Sequence, residues 1–198
     1  MFPLFETIKI LDGKIYNLSF HQKRLEFSFE TYFYKKATFL LSDIISIPNE
    51  FSKGLVKLRF LYSEKNYKVE FFHYRPRKIS TLKVVENNEI NYSLKFTNRS
   101  QINDLLRQQG FCDDILIIKN GFITDTSIAN IVFYNGKEWI TPTTPLLMGT
   151  CRAKLLKENK IKEEVIKITD LHKFKAFCLI NALNCSNLSP IPITNVYF

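Results

Sequence analysis

Three tight-turn dipeptides, Asp12-Gly13, Asn120-Gly121 and Asn135-Gly136, each stand between short β-prone runs, and this arrangement constrains the fold more than any other feature of the chain. Asp-Gly and Asn-Gly pairs adopt positive φ with little strain, so they close two-residue hairpins between antiparallel strands. Leu4 to Ile10 and Lys14 to Leu18 are read as the first strand pair. Gly54 to Tyr62 and Tyr67 to Tyr74 alternate charged and apolar residues with period two and form a second pair around the polar Ser63 to Asn66 turn. Asp114 to Lys119, Phe122 to Thr124, Ala129 to Tyr134, Trp139 to Pro142 and Ala176 to Ile180 supply further strands, and Pro190 to Ile193 reads as an edge strand limited by its prolines.

Between these runs the apolar spacing becomes helical. Leu25, Phe29, Tyr32 and Phe33 predict a helix from about Phe20 to Tyr34 with Ser19 as its N-cap. Ile102, Leu105 and Leu106 predict a second that stops at Gly110, and a third follows Gly149 through Ala153, Leu155 and Leu156. The expectation is an α+β protein of two lobes, an N-terminal α/β lobe over 1–80 and a β-rich lobe over 81–198, joined near the basic, proline-containing stretch Arg75 to Lys78.

The formal charge of +9 suits an anionic partner, but Lys and Arg are interspersed with Asp and Glu and form no tract, so nucleic acid is not expected. A small anionic ligand uses the excess equally well. The four cysteines make no C-x-x-C pair, which predicts free thiols, with neither a zinc site nor a disulfide framework. The opening MFPLFETIKILDG has no basic leader followed by an apolar run, and no segment approaches the roughly 20 apolar residues of a membrane span. A cytoplasmic protein without membrane attachment is expected.

Nucleotide loops, zincin helices and nucleophile elbows are absent from the sequence, so any chemistry falls to lysine, carboxylates and backbone anion sites. Lys95 lies between Leu94 and Phe96 immediately before a helix, where partial burial would free the amine to attack a carbonyl; a surface lysine with its stem on apolar area reads the same way. Asp125 can face a pocket or cap a turn. Gly149-Thr150-Cys151 opens a helix whose first N–H groups suit a phosphate, or is an ordinary helix start. Arg24 can clamp a phosphate with its planar fork, or face solvent.

The order of these pieces resolves the ambiguity. Phe5-Glu6-Thr7, His21-Gln22-Lys23-Arg24-Leu25, Leu94-Lys95-Phe96-Thr97-Asn98-Arg99, Thr124-Asp125 through Asn130-Ile131, Leu147-Met148-Gly149-Thr150-Cys151-Arg152 and Asn181-Ala182-Leu183 lie in sequence along nearly the whole chain. Together they resemble the class IV (fold type IV) pyridoxal-phosphate enzymes, and the aminodeoxychorismate lyases most of all. That resemblance implies a two-lobed, D-amino acid aminotransferase-like fold with pyridoxal 5'-phosphate (PLP) between the lobes and a homodimeric assembly. It assigns Lys95 the Schiff base and the proton transfer, Asp125 the pyridine nitrogen, and Arg24 with the amides of Thr150, Cys151 and Ala182 the phosphate.

The implied reaction is conversion of 4-amino-4-deoxychorismate to 4-aminobenzoate and pyruvate, on a small anionic amine substrate. A branched-chain or D-specific amino-acid aminotransferase is the alternative within the family, and a non-catalytic basic binding protein the alternative outside it. The chain departs from the family pattern in two places: it begins at F-E-T, where members carry a preceding strand, and it has Asp125 where they usually carry Glu.

Overall fold

A computed structural model of the chain describes residues 1–185 and 188–198. It is an α+β protein whose residues cluster into two compact units, Met1–Pro76 with Leu94–Asn98, and Arg77–Ser93 with Arg99–Phe198.

The first unit is a four-stranded antiparallel sheet, β2-β1-β3-β4, made of β1 (Leu4–Leu11), β2 (Lys14–Ile15), β3 (Leu55–Tyr62) and β4 (Tyr67–His73). Asp12 and Gly13 both have positive φ, as the first hairpin requires. On β1 the residues of one parity, Leu4, Glu6, Ile8 and Ile10, are buried. Their β3 neighbours Tyr62, Phe60, Leu58 and Val56 stand directly opposite, and α1 (Leu18–Ser28) supplies Leu25 to the same core. The helix begins earlier than its apolar spacing predicts. Asn17, in the left-handed region at φ 57°, turns the chain into it, so Ser19 lies inside the helix, and after Ser28 one π-helical turn extends to Phe33.

The segment Leu94–Asn98 returns to this unit, which corrects the expectation that Lys95 belongs to the C-terminal lobe. Backbone pairing is the cause: Phe5 N–H donates to Lys95 O at 3.0 Å, Thr97 N–H donates to Pro3 O at 2.8 Å, and Leu4 and Phe96 form a bridge.

The second unit holds a mixed sheet. Its order β10-β9-β8-β7-β6-β5-β13 joins β5 (Leu82–Glu86), β6 (Asp114–Lys119), β7 (Phe122–Thr126), β8 (Asn130–Tyr134), β9 (Trp139–Pro142), β10 (Lys162–Glu164) and β13 (Val196–Tyr197); β11 (Ala176–Ile180) pairs with β8 and with β12 (Ile191–Pro192). Asn120 and Gly121 both take positive φ in the β6–β7 turn. Strand β5 runs parallel to β6, a pairing no turn dipeptide announces. Leu116, Ile118, Ile131, Phe133 and Phe177 form the core against Leu82 and Ile123. Helices over Ser100–Leu106 and Thr150–Lys157 are numbered α3 and α4 after the short α2 at Leu41–Ile44.

Cys151 and Cys185 form a disulfide with a Cα–Cα separation of 5.5 Å, against the expectation of four free thiols. Residues 34 apart in sequence meet because β11 carries the chain back beside α4, which spacing alone does not reveal. Cys112 and Cys178 are free and buried. Among the described residues no helix is long and apolar enough to cross a membrane.

Candidate functional site

The candidate residues fall into two groups, one in each unit. In the first, Glu6 occupies an inward position of β1 and is 0% exposed. A carboxylate there needs partners, and α1 provides them. Arg24 donates from Nε to Oε1 of Glu6 at 2.8 Å and from Nη2 to Oε2 at 2.5 Å, a bidentate fork. His21, also fully buried, lies with Nδ1 2.6 Å from Oε2. His21 and Arg24 are three positions apart, so both side chains leave one face of the helix toward β1.

Burial alone would raise the Glu6 carboxyl, but the Arg24 guanidinium and the His21 hydrogen bond overcome it and hold Glu6 down at about 2. Burial, by contrast, depresses His21 below the usual imidazole value, with the Arg24 and Lys95 charges acting the same way against Glu6. His21 is therefore neutral at pH 7 and donates its Nδ1 proton to the ionised Glu6. Lys95 is half-buried, with Nζ 4.8 Å from the centre of the Phe5 ring.

The second group centres on Asp125, which lies in β7 and is 5% exposed. The Thr126 N–H to Ala129 O bond at 2.9 Å closes the turn after it, and Arg99 braces that turn by donating to Ser127 O at 2.6 Å. Asp125 accepts from Asn130 Nδ2 through Oδ1 at 2.7 Å and from the Leu147 N–H through Oδ2 at 2.9 Å. Burial dominates and pushes its carboxyl up to about 6, although both bonds and the Arg152 charge oppose the rise.

The loop that reaches Asp125 runs directly into α4. Gly149 precedes the helix in extended conformation and supplies no side-chain cap to its first turn, Thr150 and Cys151. Arg152, almost wholly buried, ties the helix to Pro142 O at 2.9 Å and pairs with Glu163. The disulfide fixes Cys151 beside the turn at Asn181 to Asn184, where Asn181 Oδ1 accepts from the N–H groups of Leu183 and Asn184 at 3.0 Å. Thr150, Cys151 and Ala182 thus belong to one neighbourhood.

The sequence assigns no role to Glu6, His21, Asn130 or Arg152, whose side chains hold the candidate residues and α4 in place. Glu6 carried a readable signal, a charge at the parity of the apolar face of its strand. The contacts of the other three depend on how strands and helices pair in the fold.

The Amino-transferase class IV family model matches residues 3–191. An uncharacterized protein of Haemophilus influenzae is 44% identical over 186 residues, covering 93% of this chain and 99% of the relative. A crystal structure from Haemophilus somnus, solved as a candidate 4-amino-4-deoxychorismate lyase, superposes with a TM-score of 0.90 at 40% identity, covering 94% of this chain and 98% of that one. A candidate amino-acid aminotransferase from Mesorhizobium loti shares the fold with a TM-score of 0.78 at 21% identity, covering 97% and 98%.

Proposed function

The chain belongs to the class IV aminotransferase family, whose members are PLP-dependent enzymes, and from that premise we propose that it is a 4-amino-4-deoxychorismate lyase, releasing 4-aminobenzoate and pyruvate. The observation that carries this reading is the likeness at 40% identity, over nearly the whole of both chains, to the Haemophilus somnus candidate for that reaction.

The donor set fits the cofactor. A guanidinium held in a fixed fork suits a phosphate, and so does the start of a helix whose N-cap is glycine. A buried carboxyl suits a ring nitrogen, and Lys95, half-buried, supplies an amine for an aldehyde. When bound, PLP supplies an electron sink for the negative charge left at a substrate carbon that loses its proton.

The chain's own residues have separable tasks in this reading. Arg24, with the amides of Thr150, Cys151 and Ala182, binds the phosphate. Asp125 keeps the ring nitrogen protonated. Lys95 would hold the aldehyde end of the cofactor, and its amine would carry the proton from the substrate ring carbon to the departing pyruvate. The surplus of positive charge suits a dicarboxylate substrate.

Two experiments test the reading. Borohydride reduction of the PLP-loaded protein followed by peptide mapping should label Lys95. Incubation with 4-amino-4-deoxychorismate, and separately with amino-acid and keto-acid pairs, distinguishes the reactions; amino transfer without release of 4-aminobenzoate would overturn the assignment.

A further inference from the structure

We propose that Asn130 is the positioning residue for the Asp125 carboxylate, and that residue 149 is glycine because the Asn130 side chain occupies the space a larger residue would need. The proposal rests on the reading of Asp125 as the partner of the cofactor ring nitrogen.

Asp125 and Asn130 are register partners of β7 and β8, so their side chains project from the same face of the sheet. This is the physical meaning of the five-residue spacing: a short turn returns the chain so that carboxylate and amide stand side by side. Asn130 Nδ2 donates to Asp125 Oδ1 at 2.7 Å and to Leu147 O at 2.9 Å, while the Leu147 N–H donates to Asp125 Oδ2 at 2.9 Å. The three residues close a ring of hydrogen bonds. An NH2 group between two acceptors fixes which way the amide points, and its oxygen is thereby turned away from Asp125.

That oxygen is turned toward Gly149. A Cβ built on Gly149 would overlap Oδ1 of Asn130, with Cγ of Asn130 at 3.0 Å. Gly149 has φ −71° and ψ 140°, a conformation open to any residue, so backbone freedom does not explain the glycine. Space does. One amide thus sets both the carboxylate orientation and the approach of the chain into α4. An amide also suits the task chemically, because it donates to Asp125 without supplying a proton that could neutralise it.

The test compares binding of PLP with binding of its 1-deaza analogue, in which C–H replaces the ring nitrogen. Wild type should prefer PLP, and Asp125→Ala should abolish the preference; a wild type that binds both equally sinks the reading of Asp125 itself. If that reading stands, Asn130→Ala should weaken PLP binding roughly 10- to 100-fold, the range for a lost hydrogen bond to a charged group, and leave the analogue unchanged. Gly149→Ala should reproduce this loss, and Asn130→Ala with Gly149→Ala should bind no more weakly than Asn130→Ala, because the obstructing amide is gone. Equal loss toward both ligands, or a preference retained in Asn130→Ala, overturns the proposal. Should Asn130→Ala fail to fold, Gly149→Ala carries the same comparison with the amide still present.

Discussion

Glu6 grips Arg24 from inside the first unit's core, with both carboxylate oxygens engaged by one guanidinium and the second oxygen shared with His21. The pair fixes the direction of the fork that is proposed to meet a phosphate. It also links stability to pH. Glu6 is held at about 2 against an ordinary 4.5, so its contribution of about 3 kcal/mol is fully present above pH 4.5 and is lost as pH falls toward 2. Glu6→Gln does not titrate. Urea unfolding at pH 7 and pH 3 should show the deficit of this variant narrowing toward the acid end.

A fork in a fixed direction should also discriminate between Arg and Lys at position 24. Arg24→Lys keeps the charge and removes the two-point geometry. PLP affinity should fall at least about tenfold, while pyridoxal, which lacks the phosphate, should bind the variant and wild type alike. Equilibrium dialysis of the apoprotein with each compound measures both. A parallel loss for pyridoxal would show that Arg24 does not act on the phosphate.

The same geometry shows what the sequence discloses. The strand pairs at Asp12-Gly13 and Asn120-Gly121 were legible because positive φ at two adjacent residues is a local demand met by few dipeptides. Strand β5 was not, because parallel pairing with β6 depends on a distant segment and no turn marks it. The helix start at Leu18 was misread because Asn17 turns the chain through the left-handed region, which a search for a Ser cap overlooks. For the site, the motif order singles out Lys95, Arg24 and Asp125, and strand parity marks Glu6 as an inward charge, whereas the grip of Glu6 on Arg24 and of Asn130 on Asp125 becomes visible only once β1 packs on α1 and β7 pairs with β8.

The disulfide was invisible for the same reason, and it carries a prediction of its own. Closing a loop of 34 residues removes chain entropy worth about 4 kcal/mol from the unfolded state. Cys185→Ser should therefore lower the stability of oxidised protein by about that amount, read as a shift in the urea midpoint. Thiol labelling after unfolding should find two reactive cysteines without reductant and four with it. In the folded protein Cys178 should resist labelling near pH 7, since burial pushes its thiol up to about 11.

Asp125 should produce the opposite pH trend from Glu6. Its carboxyl is raised from 3.8 to about 6, so the fold favours the protonated form. Stability of the apoprotein is highest with respect to this group below pH 3.8 and declines by about 3 kcal/mol as pH rises through 6, because a buried charge must then be maintained. In Asp125→Asn the group no longer ionises. The stability of the variant relative to wild type should therefore rise by about 3 kcal/mol between pH 3.5 and pH 7, whatever the offset caused by exchanging an oxygen for an amide. PLP should reverse this in wild type alone, since a protonated ring nitrogen beside Asp125 favours the ionised carboxyl. Cofactor affinity should therefore strengthen above pH 6 in wild type relative to the variant, and thermal unfolding with and without PLP across that range measures both effects. A relative stability that stays flat with pH in the apoprotein would show that the carboxylate is not desolvated as the structure requires.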